Sequence, residues 1–208
     1  MTQRGGDITS WDDYFIPGTT VLRNHLGIVD AHQLSRAEVS LTALRLDELN
    51  QAPLPGDFDY AHFKAIHRYI FQDIYEWAGH ERVAPTDRWM TKGGHAYYPA
   101  GDVLTEAAER QFRRLRQKNL LRDLPFDQFV VELAEIWGEI NVIHPFREGN
   151  TRTQVVFFSH LTRNAGHELQ PARFLDESLR DAFIEARFHS QDTGNNSRLA
   201  DVLRLIVR

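Results

Sequence analysis

From Leu34 to Val207 the apolar residues recur every three or four positions, interrupted once, and this period restricts the chain to a helical core. Leu34, Ala37, Leu41, Leu44 and Leu49 open the pattern, and the first four fit one helix face. Asp30 suits the N-cap, and Pro53 and Pro55 close the segment. A second run starts at Asp59, continues through Phe63, Ile66, Ile70, Ile74 and Trp77, and stops at Gly79. Leu104, Ala108, Phe112 and Leu115 define a third helix. Its outer face carries Arg110, Arg113, Arg114, Arg116 and Lys118, which reads as a solvated surface. Phe126, Phe129, Val130, Leu133, Ile136, Trp137 and Ile140 cover a wide face and predict a central fourth helix. Thr151 to Asn164, Glu177 to Phe188 and Ser197 to Val207 complete the set.

The interruption is residues 82–100, rich in β-formers on both sides of Lys92-Gly93-Gly94. Gly-Gly between two such runs predicts a hairpin. Two strands alone are marginal, so the hairpin is expected either to pack on the helices or to act as a flap over a site. The expected fold class is therefore all-α with one small β-hairpin, and residues 1–208 read as one domain with no dividing linker. The first fifteen or so residues are expected to be loosely held.

Composition narrows function. The chain has 208 residues and no cysteine, which excludes disulfides, thiolate metal sites and Cys nucleophiles. Lys plus Arg number 24 against 29 Asp plus Glu, a formal charge of −5 that argues against direct nucleic-acid binding. No apolar run approaches the roughly 18 residues of a membrane span, and the N-terminus lacks the apolar stretch of a signal peptide. A cytoplasmic protein with no membrane partner is the expectation.

The chemistry concentrates in residues 139–158, EINVIHPFREGNTRTQVVFF. A helix ends near Ile143, a polar loop runs from His144, and a new helix starts near Asn150. The first amides of a helix have no intrahelical partner, so with Gly149 allowing close approach they form an anion site. The same loop brings a histidine suited to accept a proton, a carboxylate suited to Mg²⁺ beside phosphates, and an arginine that forks onto phosphate oxygens. Together these are the parts required for phosphoryl or nucleotidyl transfer.

The string HPFREGNTRTQ resembles the motif of the Fic family, H-x-F-x-(D/E)-G-N-G-R-x-x-R, with His144, Phe146, Glu148, Gly149, Asn150 and Arg152 matching. IHRYIFQDIYEWAGHER at residues 66–82 is similar to the family's upstream helix, which ends in W-A-G and a basic residue. YFIPGTTVLRNHLGI resembles the opening of short bacterial cell-filamentation Fic proteins. The resemblance implies transfer of AMP from ATP to a hydroxyl side chain (Tyr, Ser or Thr) of a target protein. It implies His144 as the base, Glu148 as the Mg²⁺ ligand, Asn150 orienting the α-phosphate, and backbone amides of Gly149, Asn150 and Thr151 as the anion hole. Arg152 would contact the outer phosphates, and Phe146 would plug the loop into the core. The flap, about residues 82–100, would dock an extended target segment through Met90, Thr91, Lys92, Gly93, Gly94 and His95 by strand addition.

Two positions of the motif segment 144–155 depart from the family pattern. Its second Gly is Thr151, and its final Arg is Val155. Losing that guanidinium weakens phosphate contact by about 1.5–3 kcal/mol. Two alternatives therefore stand beside adenylyl transfer: transfer of another phosphate-containing group, or a catalytically impaired binding module of a toxin–antitoxin type system. A related toxin branch carries Lys where Thr151 sits and acts as a phosphotransferase, and this chain lacks that Lys. Family members are often blocked by a helix bearing (S/T)-x-x-x-E-(G/N). The one partial match, Thr105 to Glu109, is followed by Arg110, so no built-in inhibitor is expected, and a small antitoxin chain is the family's other device. His32, His62, His67, His160, His167 and His189 read as satisfied structural histidines.

Overall fold

The computed structural model describes residues 8–208. Among these, seven helices and one hairpin form, in the order α1 (Ala31–Gln51), α2 (Tyr60–Phe71), β1 (Met90–Lys92), β2 (His95–Tyr97), α3 (Asp102–Gln117), α4 (Phe126–Ile143), α5 (Asn150–Asn164), α6 (Glu177–Thr193) and α7 (Ser197–Ile206). The all-α expectation with one small hairpin holds.

Local chemistry explains the helix starts. Asp30 accepts the Gln33 amide, Asp59 that of His62 and Asp176 that of Leu179, each satisfying one orphan N–H. α4 is the central element, with Phe129, Val130, Leu133, Ile136 and Trp137 at 0% exposure. It packs against α3 and α5, while α6 and α7 close on its other side. Phe63, Phe112 and Phe157 meet in the core at centroid distances near 5.4 Å, a spacing suited to aromatic pairs.

Four details differ from the periodicity. The α1 face turns so that Leu34, Thr42 and Leu49 are buried and Leu44 is 54% exposed. Glu38 and Arg45 share that inner face because they pair with Arg152 and Asp73. Next, α2 stops at Phe71 rather than Trp77. The Phe71 carbonyl accepts the amides of both Ile74 and Tyr75, and tight turns then bury Ile74 and Trp77 at helix-like spacing. Third, α6 runs on from Phe188 to Thr193, where Gly194 takes a left-handed C-cap. Finally, the N-terminal segment is not loose throughout. Tyr14 is buried edge-on against Trp77 at 5.6 Å, while residues 1–7 lie outside the described residues.

Three buried histidines tie segments together. His62 bonds the Leu54 carbonyl, His160 the Leu49 carbonyl, and His67 the Glu148 carbonyl, each through Nε2. A carbonyl only accepts, so each ring carries its proton on Nε2. Burial pulls all three below the ordinary 6.5, His67 to about 3. The folded state therefore binds fewer protons than the unfolded chain below about pH 6.5, and stability is lost as pH falls through that value. Urea unfolding is expected to give a constant free energy between about pH 7.5 and 8.5, below the titration of the buried tyrosines. Between pH 6.5 and 5 it should decline, with His67 alone contributing about 1.4 kcal/mol per pH unit. A flat profile across that window, before the carboxylates titrate, would refute the assignment.

Candidate active site

The site forms where α4 hands over to α5. His144 ends α4 in the left-handed region, φ 47° and ψ 60°, which a non-glycine residue adopts only when its surroundings hold it there. Arg82 does the holding. Its guanidinium, on a residue 1% exposed, donates from Nε to the His144 carbonyl at 2.9 Å, from Nη1 to the Ala84 carbonyl at 3.2 Å, and from Nη2 to the Tyr98 carbonyl. The Arg82 amide also donates to the Pro145 carbonyl at 2.8 Å. Burial lowers the Arg82 pKa to about 10, so it stays charged at neutral pH.

Inside the loop, Asn150 closes a ring on Phe146. Its Oδ1 accepts the Phe146 amide at 3.0 Å and its Nδ2 donates to the Phe146 carbonyl at 2.8 Å. The Asn150 side chain is thus buried and occupied by the loop itself. Phe146 lies at 0% exposure, sandwiched between Phe63 and the His67 ring, whose centroid is 3.8 Å away. His67 accepts the Gly79 amide at Nδ1 and donates from Nε2 to the Glu148 carbonyl.

Gly149 is the N-cap of α5 at φ 79°, and a Cβ there would come within 2.2 Å of the Phe71 ring. No other residue type fits. No side chain caps α5, and the first amide paired to a helix carbonyl is that of Thr153 on Gly149. The amides of Asn150, Thr151 and Arg152 are left to face an anion at the positive end of the helix dipole.

The remaining expected residues fall around this cradle. His144 is part-buried, with Nδ1 enclosed and unpartnered, so Nε2 is the nitrogen left accessible. Burial, then the charges of Lys92, Arg82 and Arg187, pull its pKa down to about 3. The Tyr97 ring lies 4.4 Å from it. Glu148 pairs at Oε1 with Arg147 Nη1 at 2.7 Å, and Arg147 stacks over Trp11 at 4.2 Å. Arg152 is turned toward α1, bonded to Glu38 and to Thr42 Oγ1, with its guanidinium over Phe71. Thr151 is exposed, and its Oγ1 accepts from Arg187 Nη1 at 3.3 Å. Val155 is half-buried and packs against the core.

The hairpin pairs Met90 with Tyr97 and Lys92 with His95 around Gly93 and Gly94, both at positive φ. Its β2 side is fastened to α6. His95 stacks on Phe188 at 3.7 Å and bonds Asp192, and Gln191 donates to the Ala96 carbonyl. Thr91, Lys92, Gly93 and Gly94 are exposed, whereas Met90 and His95 are half-buried.

Sequence reading missed the working parts of Arg82, His67, Arg187 and Glu38. Arg82 ended the string compared with the family, but nothing local signals that it reaches three carbonyls. His67 is a satisfied structural histidine, as read, yet what it satisfies is the motif loop. Its replacement by Phe keeps the stack on Phe146 and strands the Glu148 carbonyl and Gly79 amide, each worth about 1–3 kcal/mol when buried unpaired. His67→Phe is expected to lower unfolding free energy by about 2 kcal/mol or more in urea titration. A loss under about 0.5 kcal/mol would show that the loop does not depend on it.

Residues 57–162 match the Fic/DOC family. A Sinorhizobium fredii relative named as a protein adenylyltransferase, y4lH, is 40% identical over 176 residues, covering 81% of this chain and 87% of the relative. VbhT of Bartonella schoenbuchensis, a protein adenylyltransferase, is 34% identical over 181 residues, which span 87% of this chain but 37% of VbhT. The crystal structure of BepC from Bartonella tribocorum with bound AMPPNP is similar at a TM-score of 0.84 and 26% identity, covering 95% of this chain and 97% of that one. The motif, the fold that carries it and these relatives agree: the chain belongs to the Fic/DOC family.

Proposed function

We propose that this chain transfers AMP from ATP to a hydroxyl side chain of a target protein. The observation that carries the reading is the common mounting of two groups. One loop fixes His144 Nε2 and the free amides at the start of α5, so base and anion cradle keep a set relation. The relatives named as adenylyltransferases and the AMPPNP in BepC support the same choice of donor.

In the step, the target hydroxyl oxygen forms a bond to the α-phosphorus, its proton passes to His144 Nε2, and the bond to pyrophosphate breaks. The ring is neutral at physiological pH and ready to accept that proton. Burial depresses it most and nearby positive charge adds to that, so a polyanion held on the α5 amides raises its basicity. The amides of Asn150, Thr151 and Arg152 take the charge that develops on the phosphate oxygens.

Glu148 fits a Mg²⁺ site. Its carboxylate is about one-third exposed and bonded only at Oε1, and it precedes the anion cradle directly. One carboxylate suits an ion whose other ligands are phosphate and water. Mg²⁺ bound there with nucleotide supplies charge neutralisation for the departing phosphates.

The target docks as an added strand along β1, whose partner strand β2 is already fastened to α6. We place the reaction in the cytoplasm, where ATP is at hand; among the described residues no helix is long and apolar enough to cross a membrane. Control by a small antitoxin chain belongs to the same reading. Within the chain, Thr105 of the partial inhibitory string is engaged with Glu81 instead.

Incubation with ATP labelled at the α-phosphate, alongside CTP, GTP and UTP, tests the reading. Protein labelling is expected from ATP and not from γ-labelled ATP. His144→Ala should cut it by about 10²–10⁴ at unchanged melting temperature. Transfer of γ-label, or full activity in the variant, would overturn the assignment. Calorimetry on the same protein is expected to show Mg²⁺ binding only with nucleotide present. Tight binding of Mg²⁺ alone would remove Glu148 from the role.

A further inference from the structure

Arg187 lies on α6, outside the motif, and nothing above gives it a task in proportion to its cost. It is 8% exposed. Among the described residues no carboxylate pairs with it. Nη1 makes two long contacts of 3.3 Å, to Asn141 Oδ1 and Thr151 Oγ1, and Nε is enclosed without a partner. The guanidinium rests on the Phe183 ring at 4.9 Å. A buried cation with so little compensation is destabilising unless an anion meets it. Its head lies against Thr151, in the first turn of α5, where the free amides also point.

One departure from the family pattern touches this residue, and the other removes a charge of the same kind. Thr151 supplies a hydroxyl that the pattern's Gly lacks, and that hydroxyl holds Arg187. Val155, one helical turn further on, is the position from which the pattern's Arg would have come, and here it packs with the core. We propose that Arg187 supplies the guanidinium for the terminal phosphates of the nucleotide, steadied by Thr151, in place of the arginine absent at position 155. The charge is moved from the motif helix to α6, so the motif sequence alone understates the site. This assignment rests on ATP being the donor.

The test separates phosphate reading from structural support by comparing ligands that differ only in phosphate number. Affinities for AMPPNP, ADP and AMP are measured by calorimetry in the presence of Mg²⁺. The unaltered chain is expected to prefer AMPPNP over AMP. Arg187→Gln should weaken AMPPNP about ten- to hundredfold while leaving AMP within about twofold, because one charge-assisted contact is lost at the far end only. Adding Val155→Arg to that variant returns a guanidinium from the motif side and should restore much of the preference. Arg187→Lys keeps the charge without the fork, and if the Gln variant does not fold it provides the same comparison, with a smaller loss confined to AMPPNP. Equal weakening of all three ligands, or an unchanged preference in a folded variant, would show Arg187 to be structural and overturn the proposal. If the unaltered chain binds none of the three, the adenylyl-transfer reading itself fails. If it binds them without preference, only the Arg187 assignment does.

Discussion

The structure hangs on one buried cation. Arg82 joins three stretches of backbone that are far apart in sequence: the residues after α2, the exit of β2 at Tyr98, and the α4–α5 loop at His144 and Pro145. A guanidinium has five donors spread over a fixed plane, so it meets carbonyls on separate segments with a geometry that the three donors of a lysine ammonium on one point do not give. Burying it costs desolvation, which the carbonyls offset only because each lies on a rigid neighbour. The result is a single unit in which the exit of the flap and His144, the proposed base, are fastened to the same group. His144 holds its left-handed backbone because of that unit, and α5 starts where it does because Asn150 closes the loop behind it.

Charge is arranged with equal economy. Lys92 on the flap, Arg82 beneath the loop and Arg187 on α6 all act on His144, and the start of α5 adds its dipole. Four sources of positive potential come from β1, the segment after α2, α5 and α6, so no single helix carries the site. Such a field favours a polyanionic ligand and adds to the burial that keeps the imidazole neutral. Arg152, the one arginine of the motif that remains, is partly diverted. Its pairing with Glu38, which also accepts from Tyr75, makes it the anchor of α1.

Much of this was legible in the sequence for specific reasons. The helices follow from apolar period and Asp caps, the hairpin from Gly93-Gly94, and the loop from the residues between Ile143 and Asn150. What stayed hidden is long-range polar contact. Apolar period puts Leu44 on the core face, whereas Leu44 is exposed and Thr42 is buried with its hydroxyl accepting from Arg152. It extends α2 to Trp77 because turns of three and four residues mimic helical spacing. It cannot tell that Asn150 faces Phe146, or that a guanidinium from α6 reaches Thr151. Those facts depend on the crossing of helices, which one sequence does not encode in any local window.

The loop from His144 to Asn150 is built before any nucleotide binds. Native-state amide hydrogen exchange of the nucleotide-free chain tests it most directly, at the Phe146 amide that Asn150 holds in the core. The expected result is protection comparable to the amides of α4 around Trp137, since opening that bond requires the core to open. Exchange as fast as at Gly93 and Gly94 in the exposed flap turn would contradict it, and would mean that the loop takes its shape only when the nucleotide arrives.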